Sequence, residues 1–500
     1  PVYQEHVRQW LEAVDEVIKP YCYPNGPIIL VQLDNEPCFT FHDRCFESDY
    51  NPVIAEQGGL YSRWLRQKYG SLEKINQVYG AAYPGFGEIT PPRRLELKHM
   101  SEMARYMDWA EFKETLFAGH VASIGQHHLR NGINEVLFTI NYNLHPQLAA
   151  PNNWSYLESV SGMGGYDYYP EMPMQADAFV DVVQAVNYSR VVNRVPWSPE
   201  IMCGIWNFAG QEHPADHLKA ADYAYLYLTC LAYGLKGMNF YMLADRDNWV
   251  NSPINERGQL TETAGAVHDT LKLFNTVPSY LDLKVEQNTA VLYYRPYIRE
   301  AFISNESPCD VQGYRLGSAC AGFKNTYAAL IQSGVNPALF DPDIQDKVPP
   351  FVKLLFAPLS PYMDVKMQQR LLDYVKQGGT LICTGGLPEL DWDETPAGIL
   401  RQAFNGIEGV SEAAWKMVNL GAGRLVLLEN GVPETASLKA LLQRLAIDLP
   451  VYADDARVKA TLQKNAAGCL YFLVNTANEA VQTTLSFSEL EDAVLDNVLS

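Results

Sequence analysis

The sequence predicts an α/β protein: a sheet of parallel strands joined by helices, then a smaller α/β unit, then the start of an antiparallel β domain. Three observations predict it. Helical and strand-like segments alternate from about residue 104 to residue 250, which is the pattern of βα units. Around Tyr280 the character changes and a second set of short apolar strands and amphipathic helices begins. From Val451 onward apolar and polar residues alternate in "ARVKATLQ", "GCLYFLVN" and "QTTLSF", the period of a half-buried antiparallel strand.

In chain order, "EHVRQWLEAVDEVIKPY" puts Val7, Trp10, Leu11, Val14 and Ile18 on one face and predicts an opening amphipathic helix. Pro24, Asn25 and Gly26 make a turn. The apolar run in "PIILVQLDNEP" suits a strand buried on both faces, and it ends in Asp34, Asn35 and Glu36. A long excursion rich in aromatics, glycine and proline follows. Helices are then predicted from "RYMDWAEFKETLFAGHVASIGQHHLRNG", "DAFVDVVQAVNYSRVV" and "ADHLKAADYAYLYLTCLAYG". They alternate with further strands, giving five near 28–33, 136–142, 159–167, 195–203 and 235–243. "TAVLYYRPY", "VKLLFAPLS" and "TLICTGG" supply the strands of the second unit, and "NTYAALIQSG" and "VKMQQRLLDYVKQGG" its helices. The expected division is 1–278, 279–448 and 449–500.

A 47% hydrophobic content with 19% charged residues is enough for folded cores. The balance of 58 acidic to 38 basic residues, a formal charge of −20, disfavours nucleic acid and anionic membranes as partners. No apolar run approaches the roughly 18–20 residues that span a bilayer. Nine cysteines are scattered without a CxxC pair and read as reduced, mostly buried thiols of a cytoplasmic protein. Cys38 and Cys45, just beyond the DNE, either touch a pocket or fill the core. His127 and His128 lack a third ligand at metal spacing and read as helix surface.

Glu36 stands at the C-terminal end of a predicted parallel strand, where barrel enzymes place catalytic groups. Alone it reads first as a loop acid that caps the next helix or pairs with Arg44. A second glutamate, Glu200 in "PWSPEIMCGIW", ends another predicted strand. Hydrolysis of a glycosidic bond needs such a pair, one acid to protonate the departing oxygen and one carboxylate to attack the anomeric carbon or activate water. Asn35 is then placed to hydrogen-bond a sugar hydroxyl, and Asn141 joins it as a candidate for substrate contact. Trp206, Trp249 and Tyr241 are candidates for the apolar faces of a sugar ring, or for the core. Two carboxylates suffice, so no cofactor or metal is expected.

"GPIILVQLDNEP" resembles the fourth barrel strand of the β-galactosidases of glycoside hydrolase families 35 and 42, "PEIMCGIW" the family 35 nucleophile segment, and "GMNFYM" its eighth strand. "YSRWLRQKYGSLEKINQVYG" is similar to an insertion of family 42, and "VKLLFAPLSPYMDVKMQQRLLDYVKQGGTLI" to its oligomerisation domain. The mixture resembles the exo-β-D-glucosaminidases of family 35. The resemblance implies a (β/α)8 barrel followed by a flavodoxin-like domain. It also implies a retaining exo-β-glycosidase, first a β-galactosidase, alternatively an exo-β-D-glucosaminidase acting on chitosan oligosaccharides, and a homo-oligomer, dimer or trimer. A non-catalytic carbohydrate-binding protein is the remaining alternative.

Carried over, Glu36 is the general acid/base, Glu200 the nucleophile, and Tyr166, with Tyr168 competing, the tyrosine that orients it. The retaining mechanism would set the carboxyls about 5–5.5 Å apart, with Glu36 protonated and Glu200 ionised. Asp245 and Asp247 in "ADRDNW" either pair with a substrate ammonium or belong to a solvated loop. Eight strands are needed and five are found, with the acid/base strand after a single helix, so about three βα units are expected to be missing from the N-terminal side.

Overall fold

The computed structural model describes residues 2–37, 44–143, 152–157, 162–206, 218–305, 308–407, 409–412, 415–433 and 435–488. Five parallel strands, β1 (Leu30–Gln32), β2 (Leu137–Asn143), β3 (Met163–Asp167), β4 (Trp197–Met202) and β5 (Gly237–Tyr241), pair in sequence order into one curled half-barrel sheet. Helices Met103–Arg130, Ala176–Val192 and Ala220–Ala232 make the β1–β2, β3–β4 and β4–β5 crossovers. Because every strand runs the same way, the residues that follow Gln32, Asp167 and Met202 gather at one rim.

β1 differs from expectation. It is only half buried, with Gln32 exposed and the preceding Ile29 at 66% exposure, because it pairs on one side only, with β2. The opening helix, Val2–Ile18, turns Leu11 inward but leaves Trp10 64% exposed. Its inner face also carries Asp15, fully buried against His128 at 2.7 Å and Asn131 at 2.7 Å. His128 is therefore a buried partner of that helix and not helix surface.

The second unit is a seven-stranded sheet in the order Ala338–Phe340, Thr289–Leu292, Leu354–Leu359, Thr380–Gly385, Gly423–Leu428, Trp415–Leu420, Val410–Glu412. The first five strands are parallel in the flavodoxin-like order 2-1-3-4-5. Every residue of Leu354–Leu359 is buried, which explains an apolar run without alternation. Val458–Asn465 and Gly468–Asn475 form an antiparallel hairpin, and Lys284–Val285 adds a third strand beside it. Among the described residues no helix is long and apolar enough to cross a membrane.

The half-barrel and the second unit are joined by a buried ion cluster. Glu114, on the Met103–Arg130 helix and fully buried, accepts from Arg295 Nε at 3.0 Å, Arg299 Nη2 at 2.7 Å and Asn153 Nδ2 at 2.9 Å. Glu111 beside it meets Arg299 at 3.4 Å and Lys68 at 2.6 Å. Burial alone would raise the Glu114 carboxyl, but the two guanidiniums outweigh it and hold it down at about 2. Glu114→Gln leaves two buried guanidiniums without their charge partner, and urea denaturation at pH 7 should show a loss of about 3–5 kcal/mol. Since folding depresses this carboxyl from 4.5, the stabilisation is complete above that value and lost as the pH falls towards 2. The gap between wild type and variant should narrow over that window.

Candidate active site

At the rim, the chain leaves β1 through Leu33 and Asp34 and turns at Glu36, whose φ of +40° is a left-handed conformation that a side-chain-bearing residue adopts only when held. Asn141, within β2 and fully buried, holds it. Its Oδ1 accepts the Glu36 backbone N–H at 2.9 Å and Gln32 Nε2 at 3.0 Å. Its Nδ2 lies 2.8 Å from Asp167 Oδ2, 3.2 Å from Asn35 Oδ1 and 3.3 Å from Glu200 Oε1, so two protons serve three acceptors. One amide thus touches the acid loop, the end of β3 and β4 together. Asn141 is a positioning group beneath the site, a correction to its expected contact with substrate, because none of its surface is open to a ligand.

Asp34 also acquires a task that the sequence left unassigned. Its Oδ1 accepts the Asn35 backbone N–H at 2.9 Å and its Oδ2 meets His120 Nε2 at 3.2 Å, clamping the loop to the Met103–Arg130 helix. Asn35 is exposed, with its carbonyl also held by Gln32 Nε2 at 3.2 Å.

Glu200 is half buried inside β4, where the pairing with β5 shifts register between Ser198 and Ile201. Such an irregularity re-aims a side chain. Burial raises the Glu200 carboxyl, the Tyr169 hydroxyl opposes the rise, and the Glu36 charge adds to it. Tyr169 Oη donates to Glu200 Oε2 at 2.5 Å. This corrects the tyrosine: Tyr166 is buried with its hydroxyl accepting from Trp154 Nε1 at 3.1 Å, and Tyr168 is fully buried, so both belong to the core.

Asp167, the last residue of β3, is the group that sequence reasoning missed. It is fully buried, and burial, then the Glu200 charge, then a hydrogen bond with Glu36 push its carboxyl up to about 10. The expected contrast of one protonated and one ionised carboxyl therefore involves a third acid. The available signal was an ionisable residue in a strand of small and aromatic residues, "GGYDYY".

Aromatic rings wall the site beyond Glu200. Tyr241, half buried, packs edge-on to Trp249 at 5.5 Å and Tyr169 at 6.2 Å. Trp249 is 5% exposed, donates Nε1 to the Cys203 carbonyl at 3.1 Å and backs Trp206, which is 40% exposed, at 5.7 Å. Trp206 presents the open face and Trp249 supports it. Asp245 Oδ1 accepts the Ser252 backbone N–H at 2.8 Å, a loop brace, while Asp247 is an exposed turn residue. The structure brings neither into hydrogen-bond contact with Glu36 or Glu200. Cys45 fills the core under the excursion, and Cys38 lies outside the described residues.

Tyr169→Phe removes a hydrogen bond to a charged acceptor, worth about 1.5–3 kcal/mol. The Glu200 carboxyl should then rise by roughly one to two further pH units. Carboxyl 13C NMR titration of labelled protein checks this.

Residues 1–246 match the family model Glyco_hydro_42, described as Beta-galactosidase, and residues 342–429 match "GLMA-like, second domain". The exo-beta-D-glucosaminidase of Thermococcus kodakarensis is 24% identical over 441 residues, covering 83% of this chain and 53% of that protein. The beta-1,2-glucosyltransferase of Ignavibacterium album is 25% identical over 447 residues, covering 82% of this chain and 60% of that protein. The chain thus spans little more than half the length of these curated relatives. The β-galactosidase from Bacillus circulans sp. alkalophilus shares the fold, with a TM-score of 0.74 at 14% identity over 95% of this chain and 76% of that chain. Residues 1–246, which carry the half-barrel and both strand-end glutamates, thus match a family 42 glycoside hydrolase domain, and the fold is shared with a β-galactosidase structure.

Proposed function

We propose that the protein is a retaining exo-β-glycosidase that removes terminal β-D-galactosyl units, with Glu36 as general acid/base and Glu200 as nucleophile. The observation that carries this reading is that the Glu36 charge bears on the Glu200 carboxyl, while the Asn141 amide accepts the Glu36 backbone N–H at 2.9 Å and lies 3.3 Å from Glu200 Oε1, so the acid loop and β4 meet at one side chain. Double displacement needs that proximity. Glu200 attacks the anomeric carbon while Glu36 protonates the leaving oxygen, and Glu36 then takes a proton from the water that releases the sugar. Tyr169 holds Glu200 by one oxygen and leaves the other near Asn141. Exposed Asn35 lies beside the acid, where an amide hydrogen-bonds the sugar more strongly as charge develops.

For the sugar, the residue beside the acid favours a hydroxyl over an ammonium. Asn35 is neutral, and Asp245, a candidate the sequence offers for a substrate cation, braces Ser252 instead. The relatives named exo-beta-D-glucosaminidase support the second reading, a glucosaminide substrate. Assays with aryl β-D-galactoside and aryl β-D-glucosaminide decide between them.

Glu36→Gln should lower turnover of a substrate with a poor leaving group by about 10²–10⁴-fold. Glu200→Gly should be inactive until azide is added, and should then release an α-configured glycosyl azide from an activated β-glycoside. Undiminished turnover in either variant would sink the assignment, whereas wild-type silence on both aryl glycosides would favour a binding protein.

A further inference from the structure

The site contains one more carboxyl than double displacement requires. Asp167 is fully buried, and among the described residues the groups that bear on it most are Glu36 from the loop after β1, Asn141 from β2 and Glu200 from β4, none of them cationic. Its Oδ2 accepts from Asn141 Nδ2 at 2.8 Å. Its Oδ1 meets no N–H or O–H donor among the described residues, yet the carboxyl faces that of Glu36. A buried oxygen in that position is satisfied only by a proton of its own, given to the neighbouring carboxylate.

We propose that Asp167 is a positioning residue for the acid: its carboxyl and that of Glu36 share one proton, and Glu36 delivers that proton to the departing glycosidic oxygen. This rests on the reading of Glu36 and Glu200 given above. Before reaction the charges are one on Glu200 and one on the pair. In the first step a Glu200 oxygen bonds the anomeric carbon, the bond to the leaving oxygen breaks with its electron pair, and that oxygen takes the shared proton. Glu200 becomes a neutral ester and the pair a dianion, so the total charge is unchanged. In the second step water adds to the anomeric carbon, its proton returns to the pair through Glu36, and the ester electrons return to Glu200. The pair is asked to give up its proton only as the Glu200 charge, one cause of the Asp167 carboxyl's rise to about 10, disappears.

Asp167→Asn keeps an acceptor for Asn141 but holds no titrating proton. In the variant the alkaline limb of the kcat/KM profile should move down by about one pH unit or more. The rate lost on an alkyl β-glycoside should exceed that lost on a dinitrophenyl β-glycoside, which needs no acid, by about tenfold or more. An unmoved limb, or equal losses on both substrates, overturns the proposal. Infrared difference spectra at pH 8, where Glu300 and Asp341, each pushed up to about 7 by burial, are mostly ionised, supply a readout independent of turnover. The protonated-carboxyl band should be present in wild type and absent from Asp167→Asn, and its absence from wild type also overturns the proposal. Glu36→Gln separates the two ideas: full turnover there overturns the acid assignment itself, whereas a loss there with an unmoved Asp167→Asn profile overturns the shared proton alone.

Discussion

The position of one helix, Met103–Arg130, is fixed by the pairing of Glu114 with Arg295 and Arg299, and much of the molecule is arranged on that helix. A carboxylate with no exposure is strongly unfavourable unless its oxygens are matched, and here two guanidiniums and an amide match them. The same helix then offers His128 to Asp15 and His120 to Asp34. One electrostatic fastening thus orients the opening helix, the second sheet and the loop that carries Glu36.

The rim of the half-barrel uses the opposite strategy. Among the described residues, Glu36, Asp167 and Glu200 converge without a cation among the main influences on Asp167 or Glu200, so burial and mutual repulsion raise those two carboxyls and neutral donors oppose the rise. Asn141 and Tyr169 are those donors. Neither side chain can reverse the sign of the local charge, and both fix where it sits, which suits chemistry in which negative charge must move between carboxyls.

Much of the fold was legible because its physics is local. A buried strand is a short apolar run and an amphipathic helix a repeat of 3.6, so all five half-barrel strands, the Leu354–Leu359 and Thr380–Gly385 strands and the final hairpin could be placed from residues alone. Glu36 and Glu200 were legible because strand ends are where ionisable groups interrupt apolar runs. The failures share a different cause. Among Tyr166, Tyr168 and Tyr169 the choice depends on where β3 ends, a shift of one or two residues that pattern cannot resolve. Trp10 and His128 were misplaced because the partner of a helix face is set by tertiary packing: Asp15 claims the inner side. Asn141 and Asp167 acquire meaning only from residues more than twenty positions away, and the clamp made by Asp34 depends on His120, which is equally remote.

The C-terminal hairpin does not simply follow the second unit. Lys284–Val285, at the exit of the half-barrel, pairs with Val458–Asn465. Thr461 Oγ1 and Gln463 Nε2 donate at 2.6 Å to the carbonyls of Ala232 and Leu231 near the end of a barrel helix, and Lys236 Nζ donates to Gln463 Oε1 at 3.0 Å. Segments more than 220 residues apart therefore close a loop around the intervening sheet. Loss of one region removes partners from the others, so the architecture binds three sequence regions into a single cooperative unit, and a cut in the connection near Tyr280 would leave the pieces attached.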